Sequence, residues 1–184
     1  MLNVPNTISL LRLALVPVVI YLLAHSAFGY ALAAFLMASV SDGIDGWIAR
    51  HYNLRTSFGA LIDPVADKLI ILSCLLMLTW LALIPLWLTL AMLARDSVIV
   101  IGAFAYQRLH GHVEITPTML GKTHIAMEFI LLCLVLANAA SIISITEWLP
   151  IMFVLVLASA VFSGMQYVWI WGRKAALSSA RKQR

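Results

Sequence analysis

The sequence predicts an all-α integral membrane protein with six transmembrane helices. Of its 184 residues, 63% are hydrophobic and only 11% are charged, whereas soluble domains are about half apolar and about a quarter charged. The apolar residues lie in continuous stretches and do not alternate with polar ones, which favours helices over a transmembrane barrel. Six crossings of about 20 residues each use nearly the whole chain. We therefore expect one membrane domain at residues 1–172 and a basic tail at residues 173–184.

Helix-breaking and capping residues separate most of the apolar stretches. Asn6 and Thr7 are suitable N-terminal caps for the first helix. Pro85 opens the fourth stretch, Pro117 precedes the fifth and Pro150 lies near the start of the sixth. The predicted helices comprise residues 7–24, 28–50, 58–80, 85–107, 118–140 and 148–171.

The segment before the first crossing carries one arginine. Residues 3–12 can lie along the membrane interface before the chain enters the bilayer. In that position we expect Arg12 to extend its guanidinium group toward lipid phosphates. The apolar run after Arg12 weakly resembles a secretory signal, but Arg12 is the only basic residue before it, so we interpret the run as a retained helix.

The distribution of Lys and Arg predicts the orientation of the chain. Basic residues flank the loops between helices two and three and between helices four and five, and five more occupy the tail, whereas the other three connections contain none. The positive-inside rule therefore places both termini and the two basic loops in the cytoplasm. The tail either contacts anionic headgroups or is merely solvated. We expect no nucleic-acid partner.

Four aspartates lie within the second and third apolar segments. Asp42 and Asp45 are three residues apart and Asp63 and Asp67 are four apart, so each pair shares one face of its helix. The two helices are joined by a short loop, which lets the four carboxylates meet at one depth below the cytoplasmic surface. Carboxylates at membrane depth are costly, and four together would not all stay ionised without a cation. All-oxygen ligands favour Mg²⁺ or Mn²⁺, and four carboxylates can hold two such ions.

Small residues and an arginine accompany these aspartates. Gly46, Ala49 and Gly59 lack bulky side chains, which permits either close helix packing or space for a flat ligand. Beside four carboxylates we favour the ligand pocket. Arg50 next to that pocket is suited to binding an anionic phosphate.

Residues 42–67 carry the string D-x-x-D-G-x-x-A-R-x8-G-x3-D-x3-D. At every defined position this resembles the signature of the CDP-alcohol phosphotransferases. The start of the chain at Asn3–Ser9, the pair Arg95-Asp96 and the triplet Gly121–Thr123 are similar to that family as well. The resemblance implies a six-helix, usually dimeric enzyme of the bacterial inner or cell membrane, with a cavity that opens to the cytoplasmic side and the bilayer.

The resemblance also implies roles for the signature residues. It assigns metal binding to Asp42, Asp45, Asp63 and Asp67. It assigns the CDP pocket to Gly46, Ala49, Arg50 and Gly59. Asp67 is in addition the expected general base, which deprotonates an alcohol. The alcohol then attacks the lipid-side phosphorus of CDP-diacylglycerol, and CMP leaves.

Two further basic residues are candidates for binding the acceptor. Arg95 lies within an apolar helix, and Lys122 lies at the N-terminal end of helix five, where the helix dipole favours anions. In relatives that use phosphorylated acceptors, matching positions hold the acceptor phosphate. The alternative is that Arg95 forms a structural pair with Asp96 or Glu128. His124, one turn into helix five, could face the same cavity.

The acceptor alcohol stays open at this point. Phosphatidylglycerophosphate synthases, which use glycerol-3-phosphate, resemble the chain at residues 63–68 and at Gly121-Lys122. The cardiolipin synthases of the same family, which use phosphatidylglycerol, carry Arg-Asp in helix four and Pro-Thr before the lysine, as in Pro117-Thr118. Inositol phosphate or serine are further alternatives. A transporter of divalent cations is a remote one, because it would not need the small-residue pocket.

Overall fold

The structure of the protein is a computed structural model. It describes the backbone of residues 4–51, 57–110 and 118–182, and the side chains of residues 12–41, 67–105, 107–108 and 118–173. Within these residues the chain forms six α-helices. They are α1 (Val4–Ala24), α2 (Phe28–His51), α3 (Ser57–Trp80), α4 (Leu86–His110), α5 (Met119–Ala139) and α6 (Leu149–Lys182).

All six predicted helices are present, and most of their ends agree within three residues. The first helix differs, because α1 is continuous from Val4 to Ala24. The predicted interfacial segment and the first crossing are therefore parts of one helix. Pro5 lies in the first turn of α1, where its missing N–H has no intrahelical partner to lose.

The last helix extends beyond its predicted end. The predicted helix ended at residue 171 because the apolar stretch ends there. In the structure, α6 continues through the basic segment to Lys182 and has 34 residues. A membrane crossing needs only about 20 residues. Since Ala, Leu, Lys and Arg are strong helix formers, the segment after residue 171 can extend the helix without an apolar face.

Three of the helices end in the same kind of turn. Ser26, Ala82 and Ser141 follow α1, α3 and α5 and have φ angles of 56°, 55° and 57°. At each turn, the N–H of the next residue bonds to a carbonyl five residues back, over 2.9–3.0 Å. This is the Schellman arrangement, which satisfies carbonyls at a helix end. These turns lie in the three connections that contain no Lys or Arg.

The chain divides into two compact units. The first unit comprises Met1–Ile84 and Leu132–Thr146, and the second comprises Pro85–Leu131 and Glu147–Arg184. In the first unit, α1 packs against both α2 and α3. Its largest fully buried apolar side chains are Leu23, Phe35, Leu75, Leu78, Ile84, Leu132 and Leu136.

The second unit is built on the contact between α4 and α6. Leu88, Met92 and Leu131 are fully buried in it, and Val156 and Ala160 of α6 are almost completely buried. The first part of α5 belongs to this unit. It is joined to α6 by the polar contacts described below.

Many large apolar side chains are exposed among the described residues. Among the described residues, Leu86–Ala105, Met119–Ala139 and Leu149–Arg173 are long and apolar enough to cross a membrane. Arg12–Ala24 and Phe28–Ser41 are shorter apolar segments. Trp80 and Trp148, next to helix ends, are 86% and 62% exposed, and tryptophans at helix ends are typical of membrane interfaces.

Candidate active site

The signature aspartates lie on two helices, as their spacing predicted. Asp42 and Asp45 belong to α2, and Asp63 and Asp67 belong to α3. Because both helices continue through these positions, the members of each pair lie on one helix face. Some predicted site residues lie outside the residues whose side chains are described: Asp42, Asp45, Gly46, Ala49, Arg50, Gly59 and Asp63. Their assignments stay predictions.

Asp67 forms an ion pair with an arginine from another helix. Nη1 of Arg12 in α1 donates a hydrogen bond to Oδ1 of Asp67 over 2.6 Å. The Arg12 side chain is only 1% exposed, whereas the Asp67 side chain is 38% exposed. The carboxylate is therefore anchored from the buried side and open on the other. Such a charge-assisted bond fixes its orientation.

The prediction that Arg12 reaches toward lipid phosphates is wrong. A guanidinium group can snorkel only if its helix leaves it at the interface, but α1 packs against α3 and buries Arg12. Inside the first unit a buried cation needs an opposite charge. Asp67 supplies that charge and in turn receives compensation for its own position among apolar helices.

The donor set on α2 and α3 fits a hard divalent cation. All four signature side chains are carboxylates, and carboxylate oxygens are the ligands that Mg²⁺ and Mn²⁺ prefer. Among the residues with described side chains, no other group of three or more potential metal ligands occurs. The chemistry of the signature therefore fits the ion that the sequence predicts.

The second unit contains a buried arginine with polar contacts on two helices. Arg95 of α4 is 8% exposed, and its Nη1 donates to Oδ1 of Asp96 over 2.8 Å. Its Nη2 donates to Oγ of Ser163 in α6 over 2.9 Å. The Arg95 Nε atom is buried and has no hydrogen-bond partner among the described residues. Of the two structural pairings considered for Arg95, the structure contains the one with Asp96. Glu128 lies instead 4.0 Å from Nε2 of His124.

The N-terminus of α5 carries the second acceptor candidate. Lys122 lies in the first turn of α5, as predicted, and its side chain is exposed. Thr118 caps this helix, since its Oγ1 accepts a hydrogen bond from the Gly121 N–H over 3.0 Å. The Thr118 N–H donates to the Tyr167 hydroxyl oxygen in α6 over 3.3 Å. The turn that holds Lys122 is thus attached to α6.

His124 does not face an open cavity, because its side chain is fully buried. Its Nδ1 lies 2.8 Å from Oγ of Ser159 in α6. The same hydroxyl oxygen lies 2.8 Å from the carbonyl oxygen of Val156, one turn back in α6. The contact between His124 and Ser159 joins α5 to α6 about two turns away from the contact at Thr118.

Comparison with known proteins identifies the family of this chain. A profile of the CDP-alcohol phosphatidyltransferases matches residues 2–170. The chain belongs to the CDP-alcohol phosphatidyltransferase family. The matched range contains the complete aspartate signature as well as the Arg12–Asp67 and Arg95–Ser163 contacts.

Several named enzymes of phospholipid synthesis are similar to the chain. A cardiolipin synthase (CMP-forming) of Streptomyces coelicolor is 41% identical over 127 residues, which are 66% of this chain and 59% of that protein. The human cardiolipin synthase (CMP-forming) is 30% identical over 188 residues, covering 94% of this chain and 62% of its own length. A probable phosphatidylglycerophosphate synthase of Mycobacterium tuberculosis is 43% identical over 102 residues, 51% of this chain and 48% of that protein. The chain thus spans about half to three fifths of these relatives.

In this member of the family, α6 contributes polar residues that the sequence analysis missed. Ser159, Ser163 and Tyr167 recur at every fourth position and lie on one face of the helix. They contact His124, Arg95 and Thr118, respectively. A regular row of hydroxyl groups in an otherwise apolar helix was the signal that could have indicated this face.

Proposed function

We propose that the protein transfers the phosphatidyl group of CDP-diacylglycerol to a glycerol-type alcohol and releases CMP. The observation that carries this proposal is the intact aspartate signature inside the region that matches the CDP-alcohol phosphatidyltransferases. Relatives whose names include CMP-forming activity support the same reaction class.

Phosphatidylglycerol is the acceptor that we favour, with cardiolipin as the product. The two relatives that cover most of the chain among those described above carry the name cardiolipin synthase. The Arg95-Asp96 and Pro117-Thr118 pairs agree with that group. Glycerol-3-phosphate is the second candidate, supported by the relative named as a probable phosphatidylglycerophosphate synthase.

In the proposed reaction Asp67 accepts the proton of the attacking hydroxyl group. The bond from Arg12 supports this role, because it turns one carboxylate oxygen toward α1 and leaves the side chain partly accessible. Bound by Asp42, Asp45, Asp63 and Asp67, a pair of Mg²⁺ or Mn²⁺ ions would supply positive charge for the diphosphate and the departing CMP. Gly46, Ala49 and Gly59 would leave room for the cytidine, and Arg50 would contact its diphosphate.

The acceptor phosphate is proposed to bind at Arg95 and Lys122. Arg95 retains a buried Nε–H without a hydrogen-bond partner in the described part of the chain, so a ligand oxygen there would satisfy an orphan donor. Lys122 is exposed in the first turn of α5, where the helix N-terminus adds to its attraction for an anion.

The membrane arrangement that accompanies this function has six crossings with both termini and the site on the cytoplasmic side. The apolar described helices and the distribution of Lys and Arg support it. We also propose a homodimer, as the resemblance to the family implies.

CMP release tests the proposed function directly. The protein would be purified in detergent and supplied with CDP-diacylglycerol, Mg²⁺ and one acceptor at a time. We expect CMP release with phosphatidylglycerol, and the lipid product would be identified by mass spectrometry. Release only with glycerol-3-phosphate would support the second candidate, and release only with inositol phosphate or serine would move the acceptor outside the glycerol class. If none of the four acceptors gave CMP release, and vesicles that contain the protein took up Mn²⁺, the cation transporter would be supported instead.

Substitution of Arg95 tests the acceptor site. Arg95→Ala is expected to raise KM for the acceptor by about 30-fold, because a hydrogen bond to a charged group contributes about 1.5–3 kcal/mol. KM for CDP-diacylglycerol should change by less than about twofold. Lys122→Ala should raise the acceptor KM by only about fivefold, since exposed charges interact more weakly. Steady-state kinetics with each substrate varied separately measures these effects.

The matched control for Arg95 is Arg108→Ala in the same helix. Arg108 is exposed and lies over the ring of Phe104, 5.1 Å from its centroid. This variant should retain both KM values. A rise in KM for CDP-diacylglycerol in Arg95→Ala, without a rise for the acceptor, would assign Arg95 to the nucleotide site.

A further inference from the structure

One side chain of α6 touches both proposed acceptor-binding elements. The ring centroid of Tyr167 lies 5.9 Å from the guanidinium carbon of Arg95, within the range of a cation–π contact. The hydroxyl oxygen of the same residue accepts the N–H of Thr118 at the start of α5. Tyr167 is 7% exposed, so packing holds it in this bridging position.

The contact between Tyr167 and α5 leaves little room for a side chain at Gly121. A Cβ atom at this position would lie 3.0 Å from the Tyr167 hydroxyl oxygen and 3.1 Å from Oγ1 of Thr118. Both distances are shorter than ordinary contacts between carbon and oxygen. The absence of a side chain at Gly121 therefore lets the turn that precedes Lys122 approach Tyr167 closely.

Ser163 binds the Arg95 guanidinium group at its Nη2 atom. Its Oγ accepts the hydrogen bond from Nη2, and its side chain is fully buried. One turn further along α6, Tyr167 contacts the same guanidinium group. With Asp96 on Nη1, the group is held from three directions while Nε is left without a partner among the described residues.

We propose that Ser163 and Tyr167 are positioning residues that set the specificity of the protein for a phosphate-bearing acceptor. Both residues lie on α6, from which they hold the Arg95 guanidinium group and the turn that carries Lys122. Both cations are therefore ordered before the ligand arrives. Pre-ordering of flexible cations lowers the entropy that binding must remove. The inference rests on the proposed function, since it takes Arg95 and Lys122 as the groups that bind the acceptor.

Conservative variants of the two residues test the inference in the full-length protein. Tyr167→Phe keeps the ring over Arg95 and removes the oxygen that accepts from Thr118. Ser163→Ala removes the acceptor for Nη2, and Ser163→Thr restores a hydroxyl group. We expect Tyr167→Phe and Ser163→Ala each to raise the acceptor KM by about fivefold. Ser163→Thr should stay within about twofold of the original protein, and KM for CDP-diacylglycerol should not rise in any of the three.

A double variant separates positioning from general packing. If Ser163 acts through Arg95, Ser163→Ala should add no further rise of the acceptor KM to Arg95→Ala, because coupled residues are not additive. Tyr30→Phe and Thr79→Val serve as controls. Tyr30 is 76% exposed on α2, and Thr79 donates a hydrogen bond to the Leu75 carbonyl of its own helix, α3. Both controls should leave the two KM values unchanged.

The outcomes distinguish the positioning role of Ser163 and Tyr167 from the acceptor site itself. If Arg95→Ala raises the acceptor KM while Ser163→Ala and Tyr167→Phe do not, the positioning role is wrong and the proposed acceptor site stands. The positioning role would also be wrong if Ser163→Ala and Tyr167→Phe raised both KM values equally. A lower melting temperature of these variants with an unchanged ratio of the two KM values would have the same meaning. An unchanged acceptor KM in Arg95→Ala would overturn the acceptor site itself, and the positioning role with it.

Discussion

The Asp67→Asn variant is expected to lose CMP release by about 1,000-fold or more, because general-base catalysis contributes about 10²–10⁴-fold. An amide cannot accept the proton of the attacking hydroxyl group. Asparagine has nearly the same shape as aspartate, and its Oδ1 can still accept the hydrogen bond from Arg12. The loss should therefore appear in kcat at saturating CDP-diacylglycerol and acceptor, with Mg²⁺ in excess.

Glu147→Gln is the matched control for Asp67→Asn. Glu147 is exposed in the segment between α5 and α6, so the same chemical change there should leave kcat unaltered. Mn²⁺ binding, followed by its paramagnetic resonance signal, should persist in Asp67→Asn if the other three aspartates hold the ions. Full activity of Asp67→Asn would show that another group accepts the proton.

Removal of Arg12 should produce the second large effect. Arg12→Met keeps much of the length of the side chain but removes the charge that faces Asp67 at 2.6 Å. Breaking a buried ion pair destabilises proteins by about 3–5 kcal/mol. Because the Asp67 side chain is 38% exposed, we expect a smaller loss of about 2 kcal/mol. Activity should fall by about 100-fold, since small displacements of a reacting group can have effects of that size.

A double-variant cycle isolates the ion pair from other contacts of the two residues. The stabilities of Arg12→Met, Asp67→Asn and the combined variant would be measured by reversible unfolding in mixed detergent. We expect a coupling of about 1–2 kcal/mol, within the range found for directly interacting residues. The combined variant should stay inactive. Arg173→Met, which removes an exposed cation 5.6 Å from the ring centroid of Trp169, should change neither property. If the losses of stability in the two single variants were additive, Arg12 and Asp67 would not stabilise the protein by a direct interaction.

Local patterns were sufficient to predict the helices, because each apolar stretch is long and bounded by breaking residues. The exceptions were the start of α1 and the end of α6. Their polar flanking residues are compatible with a helix but have no apolar periodicity to indicate one. Lys122 was also placed correctly, since a helix N-terminus can be recognised from Pro117 and Thr118.

Pairing between distant residues could not be predicted in the same way. Arg12 and Asp67 are 55 residues apart, and the sequence offered the interface as an equally reasonable environment for Arg12. Arg95 was recognised as a cation in an apolar helix, but its partner Ser163 lies 68 residues away. A serine in a membrane helix commonly bonds to its own backbone, so Ser163 by itself indicated no role.

The sequence by itself determined the membrane class, the six helices and the family, because hydropathy and the aspartate spacing depend only on neighbours along the chain. The tertiary structure decided which charges meet. Within the first unit, Arg12 forms an ion pair with Asp67. Within the second unit, Ser163 and Tyr167 contact Arg95, and Tyr167 also contacts the start of α5. The physical reason is that a buried charge or hydroxyl group must find a partner, and which partner is within reach depends on how the helices pack.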